Sequence, residues 1–179
     1  YLSGTMMHSG QIPFECGDNI ENFDEQKFLS NYKKNNYFDF QGSTWAPTLV
    51  HKDIWNLAGG FSEEFFPGTG SDPDFNMKLW NKGIRIFKGI NNFKVYHFGS
   101  IVLRKKINEI KKDSKYGSKG GKIFLLKWGI TIKFFKKYYL KSGTPYVSKL
   151  TEPKKDINFL LSLILVKLNY LYVRYIYSF

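Results

Sequence analysis

Cysteine is almost absent from this chain. Cys16 is the only one in 179 residues, so no disulfide can form within the chain and no Cys-x-x-Cys pair exists to build a zinc knuckle or ribbon. A fold that does without cystine suits a reducing compartment. Also missing is a charged segment followed by an apolar one at the start. The chain opens at Tyr1, so the expectation is no signal peptide and a sequence that is a piece of a longer protein. No internal repeat, helix-turn-helix, zinc-finger or RNP pattern is present. Acidic residues are scarce in one half only. Residues 1–100 hold 9 Lys+Arg against 11 Asp+Glu, net −2, and residues 101–179 hold 18 against 4, net +14, giving the +12 of the whole.

What is present is a globular composition. Apolar residues make up 42% and charged residues 23%, enough for a core and too apolar for a disordered chain. Aromatics reach 18%. Lys, Asn, Ile, Phe and Tyr run high together, a pattern that A+T-rich coding also produces. The one-sided charge points to an anionic partner for the second half: a membrane surface, nucleic acid or a phosphorylated substrate. A solvated basic face is the plainer explanation of the same lysines.

Periodicity is weak over residues 1–40, with loops expected at 18–24 and 33–36 and a short helix over Asp24–Lys34. Thr48–Ala58 reads as a helix stopped by Gly59-Gly60, and Phe61–Gly70 as a loop. Ser71-Asp72-Pro73-Asp74 opens a helix that Gly83 ends, with Asp72 as the expected N-cap and Pro73 at the first helical position. Ile84–Phe87 is a strand candidate. Phe93–Phe98 alternates, with Phe93, Val95 and His97 on one face. Residues 104–122 read as a basic loop with a short helix near Lys105–Lys112, Lys122–Lys141 as an amphipathic helix, and Ile157–Phe179 as a last apolar segment.

Two aspartates stand out. A carboxylate at a loop-to-helix junction can deprotonate an acceptor hydroxyl, and a helix start is where a phosphate can be held. Capping alone explains Asp72 and Asp74 equally well, at about 1 kcal/mol. His97, at a strand end, is either a metal ligand or a buried strand histidine. Trp45 could stack on a sugar face or serve in the core. Arg104, Lys105 and Lys106 follow the His97 strand, where cations could close over a diphosphate or simply be solvated.

The stretch from SGTMMHSGQIPF through QGSTWAPTLVHKDIWNLAGGFSEEFFPGTGSDPDFNMKLWNKGIRIFKGINNFKVYHFGS resembles the C-terminal half of family 2 glycosyltransferases with the GT-A fold. The resemblance is carried in order by Gly59-Gly60-Phe61, Ser71-Asp72-Pro73-Asp74, Gly83 and His97. It covers about residues 1–105, and more loosely Lys127-Trp128-Gly129. It implies an α/β, Rossmann-like fold: an acceptor-side half over residues 1–103, followed by a basic helical extension over 104–179. It implies inverting transfer of a sugar from a nucleotide-sugar donor to a hydroxyl of a glycan or lipid-linked acceptor, as in surface polysaccharide or glycolipid synthesis. In that resemblance Asp72 matches the general base and Asp74 a second carboxylate that orients the helix or binds acceptor. His97 matches a ligand to a divalent cation, Mn²⁺ or Mg²⁺. Trp45, Gly59, Gly60, Arg104 and Lys105 are the candidate substrate contacts. Ser71 stands where many members have Glu. The family's nucleotide-binding half, with its metal-binding Asp-x-Asp, is expected upstream of Tyr1, so these residues alone are expected to be inactive.

The last segment, INFLLSLILVKLNYLYVRYIYSF, raises a membrane question. Lys167 and Arg174 interrupt it, seven residues apart on one helical face, and its tyrosines suit a headgroup boundary. A helix packed on the domain, one lying in the interface and one spanning the bilayer all remain open. The expected setting is cytoplasmic, peripheral at the membrane's inner face. The rival function is a non-catalytic basic module that binds membrane or nucleic acid. Nucleic acid is disfavoured because the lysines are mixed with long apolar runs.

Overall fold

A computed structural model describes residues 1–99 and 119–177. It is a mixed α/β fold: a four-stranded mixed sheet and, among the described residues, six α-helices. Strand β1 is Leu2–His8, β2 Phe40–Gln41, β3 Thr48–Leu49 and β4 Lys88–His97. The spatial order is β2-β4-β1-β3, with β1 and β4 parallel and the two-residue strands antiparallel on the outside. The central strand β1 is the element that periodicity does not reveal. Its sequence LSGTMMH is covered along most of its length, Ser3 and Thr5 included, so no polar face alternates with an apolar one.

β4 is longer than its alternating stretch. Gly4 pairs with Ile90, but Thr5 pairs with Lys94, so three residues, 91–93, bulge out of the ladder. Asp39 holds this bulge: it accepts the Asn91 backbone N–H at 2.9 Å and pairs with Lys88 at 2.6 Å. Residues 84–87, expected as a strand, form none. Leu150 N–H bonds Arg85 O instead, and the Arg85 guanidinium lies 3.9 Å from the Trp80 ring centroid.

Helix α1 is Glu25–Asn31, with Asp24 accepting from Lys27 N–H at 2.8 Å. Helix α2 is Lys52–Ala58, shorter than the expected Thr48–Ala58 because Thr48 and Leu49 pair with β1. Gly59, at φ 76°, caps it in the left-handed conformation a side chain disfavours. A 3-10 turn at Glu63–Phe65 interrupts the following loop. Helix α3 is Ser71–Asn81. The N-cap is Gly70, not Asp72 as expected. The helix starts two residues earlier, which moves Asp72 into the first turn and leaves its side chain without a capping bond.

The expected single helix Lys122–Lys141 is two. Helix α4 is Lys119–Trp128. Gly129, at φ 67°, breaks it, and Thr131 caps α5, Ile132–Phe134, which runs on as a π-helical turn over Phe135–Tyr139. Helix α6 is Ile157–Tyr177, started by Asp156, which accepts from Phe159 N–H at 2.8 Å. One core joins the α/β part to these helices. Phe65, Phe75, Leu79, Trp80 and Phe87 pack with Phe124, Phe134, Phe135, Leu140 and Phe159.

α6 buries only part of itself. Phe159 and Val173 are inside, while Leu160, Leu161, Ile164, Leu165, Leu168, Leu171 and Tyr172 are exposed. Lys167 turns to the protein and bonds Gly129 O at 3.0 Å. The helix is long and apolar enough to cross a membrane by length and composition.

Candidate functional site at the head of helix α3

The site is built by α3 and the loop before it. Trp80 lies beside Phe87, just below β4. One turn earlier, Asn76 Nδ2 donates to Ser43 O at 2.7 Å, and the Ser43 hydroxyl bonds Ser3 in β1. The helix therefore climbs, from its C-terminus to its N-terminus, along the direction in which β1 and β4 run. Asp72 is one turn of about 5.4 Å beyond Asn76, within electrostatic reach of Tyr1, the residue that precedes β1.

Asp72 and Asp74 are two residues apart and live differently. Asp74 is fully buried. Its Oδ2 accepts from Ser62 Oγ at 2.7 Å and lies 3.7 Å from Lys78 Nζ. Its Oδ1 accepts from Trp128 Nε1 at 2.8 Å and pairs with Lys127 Nζ at 3.0 Å. Lys127 also bonds Glu64 at 2.6 Å and Ser62 Oγ at 3.0 Å. Burial pulls the Lys127 ammonium down, but Glu64 and Asp74 more than offset that and hold it above the usual lysine range. Asp74 is thus a clasp between α3, the 62–64 turn and α4. Of the two roles expected for it, orienting the helix is the one these contacts serve.

Asp72 makes no hydrogen bond or ion pair among the described residues. It is partly shielded, and burial pushes its carboxyl up to about 6. Its titratable neighbour is the neutral Tyr1 phenol, whose pKa burial and the Asp72 carboxylate push above its usual range. Beside it, a cavity of about 540 Å³ opens at the start of α3, lined by Ser62, Phe65, Phe66, Gly68 and Ser71 among others. Asp72 borders this space through Ser71 and does not line it. The arrangement offers a carboxylate of raised proton affinity, unused among the described residues, next in sequence to a residue that lines a cleft.

The other expected residues fall as follows. Gly59 and Gly60 make the turn after α2. A Cβ on Gly60 would press on Trp55 at 2.9 Å, and Lys78 Nζ donates to Gly60 O at 2.9 Å, so both serve the scaffold. Trp45 stacks on Phe40 at 5.4 Å and donates to Gly4 O at 3.4 Å, the contacts of a residue at the core's edge. Arg104 and Lys105, and the expected helix near them, lie outside the described residues. His97 Nδ1 is 2.9 Å from Ser9 O. A proton on Nδ1 there leaves the lone pair on Nε2, which is the ligating form of histidine.

A second group of ligand-type atoms sits beside it. His8 Nδ1 pairs with Glu15 at 2.9 Å and Nε2 with Asp18 at 3.5 Å, the three side chains lying within 4.8 Å of one another. Both imidazole nitrogens already face carboxylates.

Sequence reasoning missed Lys127 and Trp128 as partners of Asp74, and Tyr1 as the neighbour of Asp72. The only signal for the first pair was the loose likeness of Lys127-Trp128-Gly129 to the same family. Comparisons with protein-family models, with curated proteins and with solved structures gave no match.

Proposed function

We propose that this chain is the acceptor-side part of a GT-A glycosyltransferase, one that moves a sugar with inversion from a nucleotide-sugar donor to a hydroxyl of a glycan or lipid-linked acceptor. The observation that carries the reading is Asp72: unpartnered among the described residues, next in sequence to the cleft-lining Ser71, and raised to about 6. A carboxyl in that range is ionised at neutral pH and still holds a proton better than an ordinary aspartate, which is what a general base needs.

The step is a single displacement. The acceptor oxygen attacks the anomeric carbon, its proton passes to a carboxylate oxygen of Asp72, and the bond to the nucleoside diphosphate breaks on the opposite face. Asp74 is a positioning residue that fixes the first turn of α3 through Ser62, Lys127 and Trp128. His97, whose Nδ1 faces Ser9 O, would be the residue to hold a divalent cation, Mn²⁺ more naturally than Mg²⁺. Such an ion would neutralise charge on the leaving diphosphate.

The test is Asp72→Asn in this chain joined to a nucleotide-binding half, followed by release of nucleoside diphosphate from nucleotide sugars. A loss of about 10²–10⁴-fold in transfer, with melting temperature retained, is expected. In the wild type the rate should rise with pH through about 6. Transfer that survives Asp72→Asn would overturn the assignment, and turnover by the 179 residues alone would overturn only the placement of the nucleotide-binding half upstream of Tyr1.

The same reading places the protein at a membrane surface, in the cytoplasm. The bare apolar face of α6 supports it, because a patch of that size on a soluble monomer marks a contact surface. Vesicles of phosphatidylcholine with phosphatidylglycerol should carry the protein on flotation at low salt. Failure to float at low and at high salt rejects this placement.

A further inference from the structure

A second cavity, of about 640 Å³, lies on the other side of the helical segment. Its wall is Lys133, Lys136, Lys137 and Lys141, with Ser142 and Thr144. The size is within the range of about 300–1,000 Å³ typical of small-molecule sites. Backbone geometry brings four lysines to one cavity wall. α5 begins at Ile132, the π-helical turn covers Phe135–Tyr139, and Lys141 follows in the left-handed conformation at φ 50°. π-Helical turns are rare and concentrate at functional sites.

The charges are not compensated from within. Among the described residues no carboxylate forms an ion pair with any of the four lysines. Lys136 is the sharpest case. Its ammonium is half-buried, and that burial draws it below the usual lysine range. Among the described residues its partner is the Trp45 ring, 5.6 Å away. The nearby hydroxyls spend their protons elsewhere, Ser142 on Gly42 O and Thr144 on Lys141 O. Their oxygens therefore do not add donors; Ile132 and the lysine stems make the wall largely apolar, and its charged groups are all cationic.

We propose that this cavity binds a phosphoryl anion carrying two or more negative charges, as in a diphosphate ester or a phosphate-bearing lipid headgroup. A single carboxylate would leave most of the four charges unmet. Lysine binds phosphate as a point charge and needs no planar match. The site is distinct from the head of α3 and does not depend on Asp72 acting as a base.

The test uses the full 179-residue chain and two probes. Inorganic pyrophosphate, followed by calorimetry, reads the free anion. Phosphatidylcholine vesicles with and without phosphatidic acid read the lipid source. Lys136→Met keeps the stem of the side chain and removes its charge, and should weaken binding of whichever probe binds by about tenfold. The triple variant Lys133→Gln, Lys137→Gln, Lys141→Gln alters only exposed side chains and should weaken it further. The control triple Lys52→Gln, Lys154→Gln, Lys155→Gln makes the same charge change on exposed sites elsewhere and should shift affinity less than about twofold.

Saturable binding of pyrophosphate that the site variants lose supports the proposal with a soluble ligand. Binding to phosphatidic acid vesicles alone, lost in the same variants, supports it with a lipid. No saturable binding of pyrophosphate and no preference for phosphatidic acid would overturn it. Equal weakening by the control triple would overturn it too.

Discussion

The head of α3 and the lysine-lined turn after α5 handle charge in opposite ways. Around Asp74, Lys127, Lys78, Glu64, Ser62 and Trp128 answer one another within 4 Å. Around Lys136, four like charges meet no carboxylate among the described residues. A buried charge costs several kcal/mol unless it is matched, so the matched set belongs to the scaffold. Unmatched charge is stability given up, and in a folded protein that is the mark of a surface meant for something outside it. Asp72, only two residues from the clasp, falls on the unmatched side.

The sharpest way to break this contrast is Asp74→Ala. It leaves the Trp128 N–H without its acceptor and takes from Lys127 the buried one of its two carboxylates, and should cost about 3 kcal/mol, read by urea unfolding. A loss below about 1 kcal/mol would mean the clasp is not structural. Lys127→Met comes next, at about 2–3 kcal/mol, since Ser62, Trp128 and Lys78 still face Asp74.

Asp72→Asn should go the other way. The folded carboxyl sits near 6 against 3.8 in the unfolded chain, so folding favours its protonated form. That contribution is fully present below pH 3.8 and is lost as pH rises through about 6. The variant should therefore match the wild type near pH 4 and be more stable at pH 7, by about 1–2 kcal/mol once solvent screening is allowed for. Equal stability at both pH values would show that Asp72 is not shielded. The smallest effect belongs to Lys136→Met, which removes a half-buried unpaired charge and should leave the melting temperature unchanged or raise it slightly, by about 0.5 kcal/mol.

Much of the fold could be read from local chemistry. The Gly59-Gly60 stop, the Ser71–Asn81 helix frame, the alternating end of β4 and the last apolar helix are each written in a few adjacent residues. β1 could not be read, because a strand covered along most of its length and carrying Ser, Gly and Thr has no period to find. The break at Gly129 was visible as a glycine, yet the apolar pattern continues across it, and only the fold shows the chain turning there. Asp72 was legible as a carboxylate at a helix start. Its freedom from capping was not, since two residues of shift in the helix origin decide it. Asp74's partners are 53 and 54 positions away, and no spacing rule reaches that far.

The bulge in β4 has a consequence for how this chain can change length. Below it, Lys88–Ile90 keep step with Leu2–Gly4. Above it, Lys94–His97 keep step with Thr5–His8. The three residues between answer to neither run. An insertion or deletion there would be silent for both halves of the ladder. The same change between Lys94 and His97 would pull Tyr96 away from Cys16 and Gly17, which its hydroxyl joins at 2.7 and 2.8 Å. The sheet thus carries an expansion joint just below the strand end that places His97.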